Sequence, residues 1–338
     1  MTGSAVPGNA AAWPGRPSAV RAARREAPDT RRWLQLGLAA IWLLDAVLQY
    51  QSFMFTKGFS QMIGATAQGN PAVVASPITW DARLVGHHLA VTNAAFATIQ
   101  LLLALGIAWR PTVKAALAAS IVWSLGVWWF GEGLGGVLAG TANPVSGAPG
   151  AVIIYALLAV LLWPADRGDR SSFVAGRPLG TGPARLLWAV LWGSLAYFAV
   201  QAANRTSRGL HDMIAGMASG EPGWVASIDR GAAALLAHRG LQASIVLAVL
   251  LAIIAIGVFL PAPAARAAVV AAVVVAASIW IAGQDFGAIF TRSATDPNSG
   301  LLLALLAVAY WPARSIRRAP AAGPSGDPAG WAEPAGAP

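Results

Sequence analysis

A carboxylate inside an apolar run is the first residue of this chain that could do chemistry. Asp45 follows Ile41-Trp42-Leu43-Leu44, and Gln49 lies one helical turn further on the same face. An ionised carboxylate at the centre of a bilayer costs about 2.5 to 3.5 kcal/mol on insertion scales. Such a residue marks a proton or cation site, a contact for a polar group of a ligand, or a structural acid paired to a neighbouring helix. Histidine supplies a second set. His87 and His238 stand at matching places in two similar stretches, and two related imidazoles could ligate one haem or metal, or simply hydrogen-bond at an interface. The third set is a pair of acids among glycines. Glu132 sits in Gly131-Glu132-Gly133-Leu134-Gly135-Gly136 and Asp285 in Gly283-Gln284-Asp285-Phe286-Gly287, where backbone can approach a partner closely. Asp45, Gln49, His87, His238, Glu132 and Asp285 are therefore the candidate ligand-binding residues. The following Asn143-Pro144-Val145-Ser146-Gly147 and Asp296-Pro297-Asn298-Ser299-Gly300 read as tight turns that start a helix. The sequence has no phosphate loop, no His-Glu-x-x-His spacing and no nucleophile–base pair, so enzyme chemistry is not expected.

The elements that must hold these residues come in two sets. Met62-Ile63, Gly69-Asn70-Pro71, Ala75-Ser76 and His87 return as Met213-Ile214, Gly220-Glu221-Pro222, Ala226-Ser227 and His238, each 151 positions later. Leu162-Trp163-Pro164 is answered by Tyr310-Trp311-Pro312. A period that long is a duplicated unit, since the turns of a solenoid repeat about every 20 to 50 residues. Apolar runs predict eight membrane spans, four per copy, near 33–51, 84–109, 114–130, 147–163, 184–203, 238–260, 267–282 and 299–312. The fourth and eighth are short for a span. After the first span of each copy, Phe59, Met62, Ile63 and Ala67, and again Leu210, Met213, Ile214 and Met217, recur at helical spacing. These predict short amphipathic helices on the outer face, each ended by Gly-x-Pro. Asp45 has Leu195 as its counterpart, so any chemistry of Asp45 belongs to one copy.

Composition agrees with a membrane. Hydrophobic residues make up 57% of the chain and charged ones 11%, against roughly 25% charged in a soluble domain. Cysteine is absent, which excludes disulfides, iron–sulfur ligation and a quinone-coupled thiol oxidoreductase. The net charge of +9 comes from arginines in the tails and short loops, so nucleic acid is not an expected partner. With both termini inside, 16 basic residues fall on the inner side and 7 on the outer, the bias that the positive-inside rule requires. Four spans per copy then put both copies in one orientation, related by a pseudo-twofold axis along the membrane normal. The excess of Ala, Gly, Pro and Arg resembles GC-rich bacterial coding, and the expected location is a bacterial plasma membrane, with both termini cytoplasmic by the charge bias. The expected layout is all-α: a disordered tail over 1–30, a four-helix repeat over 31–165, a linker over 166–182, a second repeat over 183–313 and a disordered tail over 314–338.

Four spans with a long outer segment after the first, the end of that span at Leu48-Gln49, and the Phe/Gly/Met segment from Phe53 to Ile63 resemble the DoxX-like superfamily of small membrane proteins. Two such units would be fused over 33–312. The resemblance implies a redox-associated subunit that binds quinone or haem, and it implies no catalytic residue. The Gly131–Gly136 stretch also resembles multi-span actinobacterial proteins of no assigned role. From the residues themselves, the leading expectation is a protein that binds or moves a small amphipathic molecule through an outward-facing pocket between the repeats. The alternatives are the redox subunit and an assembly partner for another membrane protein.

Overall fold

Where water is excluded, every backbone N–H and C=O must be paired within its own segment, so long apolar runs free of proline fold as α-helices. The computed structural model describes residues 29–166 and 171–312, and every regular element among the described residues is helical. The expected disordered tails, and part of the linker, lie outside the described residues. The first half runs α1 Thr30–Leu48, α2 Lys57–Ala65, α3 Ala72–His87, α4 Leu89–Ala108, α5 Val113–Phe130 and α6 Ala151–Leu161. A single turn, α7 Gly176–Leu179, leads to the second half: α8 Thr181–Ala199, α9 Gly209–Met217, α10 Gly223–Leu236, α11 Gly240–Gly257, α12 Ala262–Ala282 and α13 Asn298–Ala309. The two halves thus present helices of like kind in like order.

Four helices, α4, α5 with the turn before it, α11 and α12, are long and apolar enough to cross a bilayer. Helices α1 and α8 have 19 residues each. Helices α6 and α13 have only 11 and 12, about 16 to 18 Å at 1.5 Å per residue, against a hydrocarbon core of about 30 Å. They are packed inside the bundle, with Ile154, Tyr155, Leu158, Leu161, Leu302 and Leu306 sealed from the surface. Each is preceded by largely irregular chain, residues 131–150 and 283–297. Such chain is tolerated at depth only where protein or a cavity covers it.

The segments after α1 and α8 hold more than sequence periodicity predicts. Helices α2 and α9 are where the apolar spacing puts them, with Phe59, Ile63, Leu210 and Ile214 buried. Each is followed by a second helix that was not foreseen, α3 and α10. The expected span 84–109 is therefore divided: residues 84–87 belong to α3, and the chain breaks at His88 (φ −131°, ψ 40°) before α4 begins. In the second half the break is at His238, whose φ is +59°, and α11 starts at Gly240. Pro77 inside α3 and the mixed polarity of both segments hide their helical period.

Helix α1 packs on α4, α5 on α6, α8 on α11 and α12 on α13, while α6 meets α13 between the halves and α1 also touches α13. Small residues set the close crossings. Gly106 of α4 faces Ala116 of α5, and Gly257 of α11 faces Ala268 of α12, so that a Cβ on either glycine would overlap the alanine. Such small-residue contacts let helix backbones approach where apolar solvent gives no hydrophobic drive. One apolar core spans both halves, with Trp42, Tyr155, Trp188, Trp192 and Tyr310 among its fully buried members.

Candidate functional site

Between helices α2 and α3 and the bundle of the first half lies a cavity of about 1330 Å³. Helix α1 lends it Trp42, Asp45 and Gln49; α2 lends Phe59, Met62 and Ile63; α3 lends Trp80 and Asp81. Phe96 and Gln100 of α4, Trp123 and Gly126 of α5 and the glycine-rich chain around Glu132 complete most of the wall. The second half contributes one strap, Thr295, Asp296 and Asn298. The sequence suggested a pocket between the repeats; this cavity lies within the first and is closed by a loop of the second.

Asp45 is buried, 1% exposed, in the middle of α1. The Tyr155 hydroxyl of α6 donates to its Oδ2 at 2.5 Å, and the Tyr155 ring lies 4.2 Å from that of Trp42. Trp42 Nε1 in turn donates to Ser120 Oγ at 3.1 Å. Asp45 Oδ1 has no partner. Gln49, 3% exposed, keeps Oε1 unpaired, while its backbone carbonyl accepts from Asn93 Nδ2 at 2.7 Å. One neutral donor on a carboxylate sealed in a helical bundle leaves it short of partners, a costly arrangement unless something else is held there.

Glu132 follows α5 at the start of a left-handed stretch. Gly133, Leu134, Gly135 and Gly136 all have φ between +56° and +71°. A Cβ at Gly135 would overlap the Pro149 carbonyl, which also accepts from Trp128 Nε1 at 2.6 Å. The stretch is pinned to α2 from the other side, where Thr66 Oγ1 donates to the Gly131 carbonyl at 3.0 Å. This folding brings Glu132 Oε1 to the N-terminus of α6, where it accepts from Val152 N–H at 3.3 Å. Glu132 Oε2 has no partner. Burial, and then the nearby Asp296 carboxylate, push the Glu132 carboxyl up to about 8 against the lowering effect of the backbone N–H groups of α6. Asp296 is itself raised by burial, although it accepts from Thr295 Oγ1 and from Asn298 N–H.

Of the six candidates, Asp45, Gln49 and Glu132 line this cavity together, and His87, His238 and Asp285 do not. Both histidines are exposed, His87 as the last residue of α3 and His238 in the turn before α11. Asp285 sits in the second half beside Asp229 of α10. Burial first, and then the neighbouring carboxyls of Asp229 and Glu221, raise Asp285 to about 7. Its pairing with Glu132 also needs correction. The second-half counterpart of Glu132 is Gln284, whose Oε1 accepts from Gly300 N–H at the start of α13 at 2.9 Å. Trp280 Nε1 donates to the Pro297 carbonyl at 2.8 Å as Trp128 does to Pro149. Asp285 instead matches Gly133, both with positive φ.

Sequence reasoning missed Tyr155, Asp81 and Asp296 as site residues. Tyr155 had a signal, a lone hydroxyl in an apolar run opposite a lone acid. Asp296 had none, since the sequence near it reads as a turn. Among the described residues no group of three or more His, Asp or Glu side chains is arranged to hold a metal ion. What the cavity offers is a buried acid, further carboxyls and aromatic walls, suited to holding a proton or a ligand with a polar head. No protein-family model, curated protein or solved structure matches the chain.

Proposed function

We propose that this protein is an eight-span membrane protein of two tandem four-helix units in parallel orientation, with both termini cytoplasmic in a bacterial plasma membrane, and that it binds or moves a small amphipathic molecule. The matched order of helices and the paired Trp128–Pro149 and Trp280–Pro297 hydrogen bonds support the two-unit reading. The ligand reading is carried by one observation. A cavity of about 1330 Å³, somewhat larger than the ~300–1,000 Å³ usual for small-ligand sites, places the under-partnered Asp45 among aromatic side chains. An apolar body would lie on those rings and a polar head would reach Asp45, Gln49 or Glu132.

Gly126 of α5 gives a clean test, because it lines the cavity and a Cβ there meets nothing within 4 Å. Gly126→Phe should fill the cavity while leaving helix α5 intact. Native mass spectrometry of gently solubilised protein should find a small molecule in stoichiometric amount on the wild type and not on Gly126→Phe at equal thermal stability. Identical spectra with only bulk lipid on both would end the ligand reading. A quinone or haem retained by both would move the redox alternative forward.

A further inference from the structure

The cavity is acidic in a basic chain. Its walls include four carboxyl side chains, Asp45, Asp81, Glu132 and Asp296, and among the described residues no lysine, arginine or histidine, although the chain has 23 Lys and Arg against 14 Asp and Glu. The wall also carries five buried polar atoms with no hydrogen-bond partner: Asp45 Oδ1, Gln49 Oε1, Asn70 Oδ1, Gln100 Oε1 and Glu132 Oε2. All five are acceptors. Turning an amide exchanges oxygen for nitrogen at three of them, but the two carboxylates accept in either orientation. Asp45, Gln49 and Gln100 are 1%, 3% and 8% exposed, so water does not readily satisfy them. A buried carboxylate lacking partners must hold either a proton or a positive group. Rings are also present: Trp42, Trp80 and Trp123 line the same space, and an aromatic face attracts a cation, indole best of all.

We infer that the ligand is an organic cation, an apolar or aromatic body carrying one onium or protonated amine group, which sets its charge against Asp45 and Glu132 and its body against the tryptophans. The inference rests on the ligand-binding reading above and adds the sign of the charge. Proton balance follows. Without ligand Glu132 holds its proton to about pH 8, and pairing with the cation releases that proton to water. The ionisable side chains that share the cavity wall with Glu132 are Asp45 from α1, Asp81 from α3 and Asp296 from the strap, while the first N–H groups of α6 bond it and its charge reaches the Tyr155 hydroxyl; α2, α4 and α5 place no ionisable side chain in that wall. With Glu132 raised to about 8, affinity for a permanently charged cation should rise as pH climbs from about 6 to about 9.

The test uses the full chain in nanodiscs and three probes of similar shape: tetraphenylphosphonium, neutral triphenylphosphine oxide and anionic tetraphenylborate. Equilibrium dialysis should give one saturable tetraphenylphosphonium site, at least tenfold tighter than the neutral probe and absent in Gly126→Phe. Its affinity should fall about tenfold in Glu132→Gln, a substitution that the native Gln284 shows this fold can carry. Weakly buffered solution should acidify on binding. If the neutral probe binds as tightly as the cation and both are lost in Gly126→Phe, the cation inference fails and the cavity reading stands. If no probe saturates, or if Gly126→Phe binds like the wild type, both fail.

Discussion

The two halves run through helices in like order and differ in what they put at their centres. In the first, Asp45 and Tyr155 form a buried polar pair; at the matching places the second has Leu195 and Leu303, both sealed in the apolar core. Glu132 lines a cavity with one oxygen unpaired, whereas Gln284, at the same point of the fold, pairs its amide with Ser299 Oγ at 2.9 Å and with Gly300 N–H. Leu38 of α1 gives way to Trp188 in α8, which packs against Trp192 and Tyr310 and donates to the Ile254 carbonyl at 2.8 Å. The exchange runs the other way on the outer helices, where Ile78 of α3 is answered by Asp229 of α10, both fully buried. The lesson is one of division. Each half leaves buried carboxyl oxygens unpaired, at Asp45 and Glu132 in the first and at Asp229 and Asp285 in the second, but only the first pair lines the cavity. Unsatisfied groups beside such a space are where a ligand or a proton can act.

The largest effect should come from moving the acid across. Leu195→Asp puts a carboxyl where no tyrosine waits, at a cost of about 2.5 to 3.5 kcal/mol on insertion scales, a large part of a typical stability of about 5 to 15 kcal/mol. Folded protein, followed by size-exclusion chromatography, should be nearly lost, and adding Leu303→Tyr should restore a measurable part of it. No rescue by tyrosine would break the equivalence of the two positions.

A smaller effect is expected from making the first half like the second. Tyr155→Phe alone strands both oxygens of Asp45 and should destabilise by about 1 to 3 kcal/mol. The double variant Asp45→Leu/Tyr155→Leu should be more stable than either single replacement by leucine, because exchanging a buried polar pair for packed hydrocarbon is often neutral or favourable. It should also bind no cation. Additive losses in thermal denaturation would show that the pair is not the unit.

The remaining effect concerns pH and is spread over several pH units. Glu132 holds its proton to about 8 in the fold against an ordinary 4.5. Its raised value favours folding while the group is protonated, fully so below 4.5, and that contribution is lost as pH rises through about 8. Asp285, at about 7, and Asp296 act in the same direction. The melting temperature of the unliganded protein should therefore decline between roughly pH 5 and 9. Glu132→Gln should flatten the upper part of that decline and Asp285→Asn the part near neutrality. A slope unchanged by either would show that neither acid sets it.

Much of this architecture is legible from local pattern. Apolar runs locate α1, α4, α5, α8, α11 and α12 to within a few residues of their ends, because in each the backbone has no alternative to a helix. Helices α3 and α10 escape, since Pro77 and Asp229 interrupt the very periodicity that would announce them. Asp45 is legible as a charge where charge is expensive. The partner of Glu132 is misread by one residue, because glycine-rich chain on either side offers no register and only the Trp–Pro hydrogen bonds fix it. Asp296 is invisible as a member of the first half's cavity, as no rule of spacing joins residue 296 to residue 45.

That last contact has a consequence in time. A chain is made from its N-terminus, so the walls contributed by residues 42–152 enter the membrane early, while Thr295, Asp296 and Asn298 arrive only after helices α8 to α12 have been made. The chamber is thus assembled as an open vessel and acquires its final side last. During synthesis the first half must keep Asp45 and Glu132 company with protons, lipid headgroups or the translocation machinery for the whole time it takes to make its twin.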